Sequence, residues 1–250
     1  MTTSSDLVGL GFQPGDGILV TGGASGIGRS TAIIAGAHGL DVTVWDLDVG
    51  GASTVAAEIV GRGGTAAFAT VDVTSSSAIE RALDDRFGGT APRYVVNNAG
   101  PPSSSNVDFA EGLVSSAGSV EKVTSAWLAR ELPAGASVVN VASVAGNVVG
   151  AAPAWYASGK AAIAAYTRFL AVHCAERIRV NAVAPGLIAT PRMSAFIESD
   201  VGRRIQSRVP LGRMGRAEDV AWTIMFLLSP RAAYISGVLV VVDGAWTLAQ

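Results

Sequence analysis

The stretch from Ile18 to Ser30, ILVTGGASGIGRS, constrains this chain more than any other. Ile18, Leu19 and Val20 form a short apolar run of β type. Gly22, Gly23, Gly26 and Gly28 then remove side chains where the backbone must turn, and Ser30 to Ala37 read as helix. A strand, a bare turn and a helix make an anion site: the helix N-terminus offers unpaired N–H groups and partial positive charge, and glycine lets a phosphate reach them. Two spacings compete for this turn. Gly23 to Ser30 nearly fits the nucleoside-triphosphate loop G-x-x-x-x-G-K-[ST], but Arg29 stands where that loop needs a lysine. Thr21-Gly22-x-x-x-Gly26-x-Gly28 fits a wider-spaced relative of the dinucleotide fingerprint G-x-G-x-x-G.

A dinucleotide site needs alternating strands and helices around it, and the next residues supply them. Asp41 to Asp46 reads as a strand, Gly50 to Gly61 as a helix, Ala66 to Val73 as a third strand ending at Asp72, and Ser75 to Phe87 as a helix capped by Ser75. Tyr94 to Val96 is a fourth, buried strand, and the pattern is βαβαβ. Asp46 falls about twenty residues beyond the glycine turn, where a carboxylate accepts hydrogen bonds from the adenine-side ribose and repels a 2′-phosphate. It therefore favours NAD over NADP, and Ser25 rather than a basic residue in the turn agrees. The plainer role is a strand-end Asp capping the next helix.

Ser137 to Val141, SVVNV, is a near-continuous apolar strand suited to a sheet covered on both faces, and it ends at Ala142-Ser143. Tyr156 follows thirteen residues after Ser143 at the start of a helix, with Lys160 four residues on and sharing its face. A phenol has a reference pKa of about 10, and a neighbouring ammonium stabilises its anion. Tyr156 can then give or take a proton while Ser143 holds a substrate oxygen.

The glycine turn, Asn97-Asn98-Ala99-Gly100 after the fourth strand, Ser143, and Tyr156-x-x-x-Lys160 occur in this order over nearly all of the chain, and together they resemble the short-chain dehydrogenase/reductase family. The resemblance implies a doubly wound Rossmann-type fold: a mostly parallel seven-stranded sheet with helices on both faces, one domain over residues 1–250. It implies a nicotinamide cofactor, which Asp46 makes NAD, and a secondary alcohol or ketone as the small-molecule substrate. Ser143, Tyr156 and Lys160 take the catalytic roles by this resemblance, Tyr156 and Lys160 also touching the cofactor. Further cofactor contacts fall to Gly22, Ser25, Gly26, Ile27, Gly28, Asp46, Asp72, Val73, Asn98, Ala99 and Gly100. Arg179 to Gly186, a sixth strand and Pro-Gly turn, resembles the family's stretch beside the nicotinamide, so Pro185, Gly186, Ile188 and Thr190 join the set. The chain departs from the family in one place. A short Pro- and Ser-rich loop, Pro101 to Asp108, precedes a helix from about Ala110 to Leu132 that lacks the usual Asn of the proton relay and offers only Ser115 and Ser116 there. A dinucleotide-binding protein with little turnover, serving as a sensor or partner, is the alternative.

The rest bounds the reading. With 49% hydrophobic and 15% charged residues in 250, the chain has enough apolar material for a sizeable core and is not disordered. A net charge of −2 without a basic stripe supports neither nucleic acid nor an anionic membrane as partner, and the longest apolar run, Val220 to Leu228, is too short to span a bilayer. The single Cys174 excludes an intrachain disulfide, and no Cys/His cluster has metal-ligand spacing. With no secretory or transit signal at Met1 to Pro14, a cytoplasmic, metal-free protein is expected. His38 and His173 fall near helix ends, where an imidazole can meet exposed carbonyls. Pro191 to Arg213 mixes Arg192, Arg203, Arg204 and Arg208 with Met193, Phe196 and Ile197; within residues 187–213 it reads as a substrate lid or a solvated helical hairpin. Asn147 and Trp155 fall beside a largely apolar substrate pocket. The helix Ala161 to Val172 is apolar on more than one face, which predicts a homo-oligomer, a tetramer first. Helix Ala217 to Leu228 and strand Val238 to Val242 complete the seventh strand.

Overall fold

The computed structural model describes residues 9–193 and 199–249. Its first half runs β1 (Gly17–Thr21), α1 (Gly26–Ala37), β2 (Asp41–Asp46), α2 (Val49–Gly61), β3 (Thr65–Thr70), α3 (Ser76–Phe87) and β4 (Tyr94–Asn97). The second half begins with α4 (Phe109–Leu113), a π-helical turn (Val114–Gly118) and α5 (Ser119–Leu128), followed by β5 (Ser137–Val141), α6 (Ala154–His173) and β6 (Arg179–Pro185). It continues through β7 (Ile188–Ala189), α7 (Asp200–Gln206), β8 (Gly215–Arg216), α8 (Ala217–Leu228) and β9 (Leu239–Val242). Seven strands form one sheet in the order β3-β2-β1-β4-β5-β6-β9, and every pairing in it is parallel. The strand order reverses between β1 and β4, which leaves a crevice at their carboxyl ends.

The period of two along each strand divides the core. Ile18 and Val20 of β1 pack with Val42, Val44, Val220 and Ile224 on one face, while Leu19 packs with Trp45, Val95, Trp127 and Val138 on the other. All of these side chains are buried, as a parallel sheet covered on both sides requires. A polar ladder crosses the second face. The Asn97 amide donates to Thr124 Oγ1 and Asn140 Oδ1, each at 2.9 Å, and the Asn140 amide donates to Thr167 Oγ1 at 2.9 Å, which fixes α5 and α6 on the sheet beneath the crevice. At the opposite end of the sheet, Arg179 donates to the carbonyls of Leu227, Leu228, Ser229 and Ile235, closing the last turn of α8.

Several boundaries differ from the sequence reading. Helix α1 begins at Gly26, not Ser30, because the glycine turn is itself its first turn. Strand β3 stops at Thr70 rather than Val73: Asp72 Oδ1 accepts from both the amide and the hydroxyl of Thr74, an Asx-type turn that bends the chain off the sheet. The expected helix from Ala110 to Leu132 starts at Phe109, ends at Leu128 and is interrupted by the π turn, where Ser119 Oγ donates to the carbonyls of Ser115 at 3.0 Å and Ser116 at 2.8 Å. β9 begins at Leu239 rather than Val238.

His38 does sit at the end of α1, but its backbone N–H closes the helix, and its ring stands edge-on to Phe12 at 5.9 Å and Trp222 at 5.7 Å instead of meeting carbonyls. No described helix is long and apolar enough to cross a membrane, and among the described residues no His/Cys/Asp/Glu group could hold a metal.

Candidate active site

Two turns meet at the switch point and are latched by one hydroxyl. Thr21 Oγ1, at the end of β1, donates to Val96 O at 3.2 Å and accepts from the backbone N–H groups of Asn98 at 3.0 Å and Ala99 at 3.1 Å. The Asn98 amide returns to the first turn, donating to Thr21 O at 3.1 Å and Gly22 O at 2.9 Å. The fit leaves no room for side chains: a Cβ on Gly28 would lie 2.2 Å from Gly22 O, and one on Gly22 would lie 2.8 Å from Asn98 Nδ2. Thr21 carried the start of the sequence motif, yet its latching role escaped the reading; a buried Thr hydroxyl at a strand end, which needs partners, was the available signal.

The same turn suits an anion. Ser25 is the N-cap of α1 with its side chain uncommitted to the helix, the first turn carries no acidic residue, and Gly26 faces Thr190, whose Cγ2 would lie 3.2 Å from an added Cβ. Asp46 Oδ2 accepts from Ala24 N at 2.9 Å and Oδ1 from Asp48 N at 3.0 Å, so the end of β2 is joined to the glycine turn. Helix α2 is capped by Asp48, which accepts from Gly51 N, and the plainer role considered for Asp46 therefore belongs to its neighbour. These residues fit a dinucleotide, its pyrophosphate at the α1 N-terminus and its adenine-side ribose near Asp46.

The other expected contacts each have protein partners of their own. The Asp72 carboxyl is engaged by Thr74, which holds it below the usual carboxylate range, and Val73 follows it in the turn beyond β3. Ile27 packs partly buried against the core, and Ile188 is buried and pairs with Gly215. Gly186 backs onto Asp243, whose Cβ would lie 2.6 Å from an added Cβ, and Pro185 O accepts from Val144 N at 3.1 Å. The segment after β6 thus lies beside the turn carrying Ser143.

That turn and α6 form the other wall. Ser143 is 8% exposed, and its Oγ accepts from Ala145 N at 3.1 Å, which leaves its proton free to donate. Lys160 is also 8% exposed; its ammonium donates to Val141 O at 2.8 Å and lies 5.8 Å from the Tyr156 ring centroid. Trp155 is buried between α6 and α4, where Gly112 alone leaves room for its ring, and it stands edge-on to Tyr156 at 5.6 Å. Trp155 therefore braces Tyr156 from the α4 side. The Asn147 amide likewise faces protein, donating to the carbonyls of Ser143 and Lys160.

The two serines of α4 to α5 now separate. Ser115 Oγ donates to Glu111 O at 2.8 Å on its own helix, whereas Ser116 is 3% exposed and its hydroxyl would lie 2.8 Å from a Cβ on Gly159, beside Lys160. In the segment read as a lid, β7 pairs with β8, Pro191 to Met193 form a 3-10 turn and α7 spans Asp200–Gln206; Phe196 and Ile197 lie outside the described residues.

An anion cradle at the switch point of a parallel sheet, walled by a helix carrying a Tyr and a Lys, defines the class of Rossmann-type oxidoreductases that work with a nicotinamide cofactor. The family model described as enoyl-(acyl carrier protein) reductase matches residues 22–247. The chain belongs to the short-chain dehydrogenase/reductase family. It is 36% identical to an uncharacterized short-chain type dehydrogenase/reductase of Sinorhizobium fredii over 94% of this chain, although it spans only 44% of that protein's length. It is 35% identical to cis-4-hydroxycyclohexanecarboxylate dehydrogenase of Sinomonas cyclohexanicum, over 92% of this chain and 95% of that one. Among solved structures, a short-chain dehydrogenase/reductase (glucose/ribitol dehydrogenase) from Brucella melitensis superposes with a TM-score of 0.85 at 28% identity, covering 94% of this chain and 98% of that one.

Proposed function

We propose that this protein is an NAD-dependent oxidoreductase that interconverts a secondary alcohol and a ketone on a small or medium-sized, largely apolar substrate. The observation that carries it is the placement of the buried Lys160 ammonium between the Tyr156 ring and the strand end that leads to Ser143. Bound NAD supplies the hydride acceptor in one direction and NADH the donor in the other. The protein's own residues do the rest: Ser143 donates to the substrate oxygen, Tyr156 takes or gives the proton at that oxygen, and Lys160 stabilises the phenolate and holds the nicotinamide ribose. We take one of Ser115 and Ser116 to hold the water that links Lys160 to solvent, and favour Ser116 because its hydroxyl packs against Gly159 of α6 while that of Ser115 bonds back to Glu111 O.

Asp46 supports NAD over NADP, since a 2′-phosphate beside its carboxylate meets like charge. A cyclic alcohol is the substrate class to try first, because a relative oxidises a hydroxycyclohexanecarboxylate by name. We further read the chain as a single domain working in the cytoplasm, with residues 187–213 as its substrate lid. It assembles as a homo-oligomer, a tetramer first, because Phe169 and Val172 on α6 are 55% and 72% exposed.

The test incubates the protein with NAD or NADP and a panel of secondary alcohols, following reduced nicotinamide by absorbance. Turnover with NAD and weaker NADP binding are expected. Equal or tighter NADP binding overturns the cofactor assignment, and NAD binding without turnover on a broad panel favours the sensor reading.

A further inference from the structure

Ser143 and Tyr156 sit on separate pieces of chain, a turn and a helix, and must be held at one spacing if both are to engage a single substrate oxygen. Asn147 is placed to hold that spacing. Its Nδ2 carries two protons, and the structure commits them to two carbonyls: Ser143 O at 2.9 Å, within the turn, and Lys160 O at 3.1 Å, on α6. The rest of the turn supports this division. The backbone N–H groups of Asn147, Val148 and Val149 all converge on Val144 O, which leaves Ser143 O to the Asn147 side chain. Gly146 brings the turn down onto the helix one residue past Tyr156: a Cβ there would lie 1.9 Å from Ala157 O, and its φ of +78° is itself unsuited to other residues. The far side of the turn is tethered to β6 by the bond from Val144 N to Pro185 O.

We infer that Asn147 is a positioning residue, whose amide fixes the turn bearing Ser143 against the helix bearing Tyr156 and Lys160. It sets the gap across which the substrate oxygen is held. The inference deepens the proposed function and rests on it, since it takes Ser143 and Tyr156 as the groups that meet the substrate. A misplacement of about 1 Å between reacting groups costs on the order of a hundredfold in rate, so a two-bond clamp outside the reacting set has leverage on turnover.

The test compares Asn147→Ala, which removes both bonds, and Asn147→Asp, which keeps the shape but turns an acceptor toward the two carbonyls. Each is made in the full chain, alone and combined with Ser143→Ala. Cyclohexanol oxidation with NAD gives kcat/KM, NADH fluorescence titration gives the cofactor Kd, and hydrogen exchange reports on residues 143–149. The single variants are expected to lower kcat/KM about tenfold or more with the NADH Kd within about twofold, and to add less than about twofold in the Ser143→Ala background, because the clamp acts through Ser143. Exchange over residues 143–149 is expected to rise in both variants and to stay unchanged in Tyr156→Phe.

Equal losses in both backgrounds, or a parallel rise in the NADH Kd, overturn the positioning role in favour of a general structural one. Unaltered exchange overturns the clamp itself, whatever the turnover. Unmodified protein that turns over no faster than Tyr156→Phe instead overturns the proposed chemistry, and exchange alone then decides whether the clamp exists.

Discussion

Lys160 donates its ammonium to the carbonyl oxygen of Val141 at 2.8 Å, two residues ahead of Ser143. The bond ties α6 to the end of β5 and leaves the Lys160 charge within reach of the Tyr156 ring, 5.8 Å from its centroid.

Tyr156→Phe is expected to lower kcat by roughly a hundredfold or more while leaving NADH binding nearly intact, because it deletes the proton donor without changing the ring. Lys160→Met is expected to lower kcat and also to weaken NADH binding. Steady-state kinetics with a fluorescence titration separate the two, and retained activity in Tyr156→Phe places the chemistry elsewhere.

Ser116→Ala is expected to change the pH profile of kcat, whereas Ser115→Ala leaves it alone. The buried Ser116 hydroxyl lies against Gly159, and Ser115 is bonded back to Glu111 O. Rate against pH for the two variants is the check; identical profiles for both and the unmodified protein remove the serine from the relay.

Arg179→Met is expected to cost about 2 kcal/mol of stability, since one guanidinium satisfies four carbonyls around the end of α8. For a chain of this size that is a fall in Tm of about 4 to 8 °C. Calorimetry measures it, and NADH affinity is expected to stay unchanged because the contact lies at the other end of the sheet from the crevice.

Asp219 is held at a pKa of about 2, first by hydrogen bonds from the Arg213 guanidinium and then by the backbone N–H of Arg216, at the start of α8. A folded pKa below the unfolded value of about 3.9 means a contribution that is present in full above about pH 4 and is lost as pH falls toward 2. Urea midpoints of the unmodified protein and Asp219→Asn are therefore expected to differ at pH 6 and to converge near pH 2. A constant gap across that range contradicts the assignment.

What could be read ahead of the structure were features written in local pattern. The run Ile18 to Val20, the glycines after it and the spacing of Tyr156 to Lys160 depend on periodicity and backbone freedom alone. What could not be read depends on where one side chain finds a distant or unexpected partner. The early end of β3 follows from the grip of Asp72 on Thr74, and the π turn accompanies a Ser119 hydroxyl bonded to two carbonyls of the preceding turn. Asn147 and Trp155 carry the residue types of a pocket lining, and only tertiary packing turns the first to Ser143 and Lys160 and the second to Gly112.

The hydroxyl of Thr21 belongs to both lips of the nucleotide crevice, accepting from the Asn98–Ala99 turn while it stands at the root of the glycine turn. The width of the crevice is therefore set by the protein in advance of any ligand. A dinucleotide entering it does not have to freeze two independent loops, so little of its intrinsic affinity is lost to ordering the receptor.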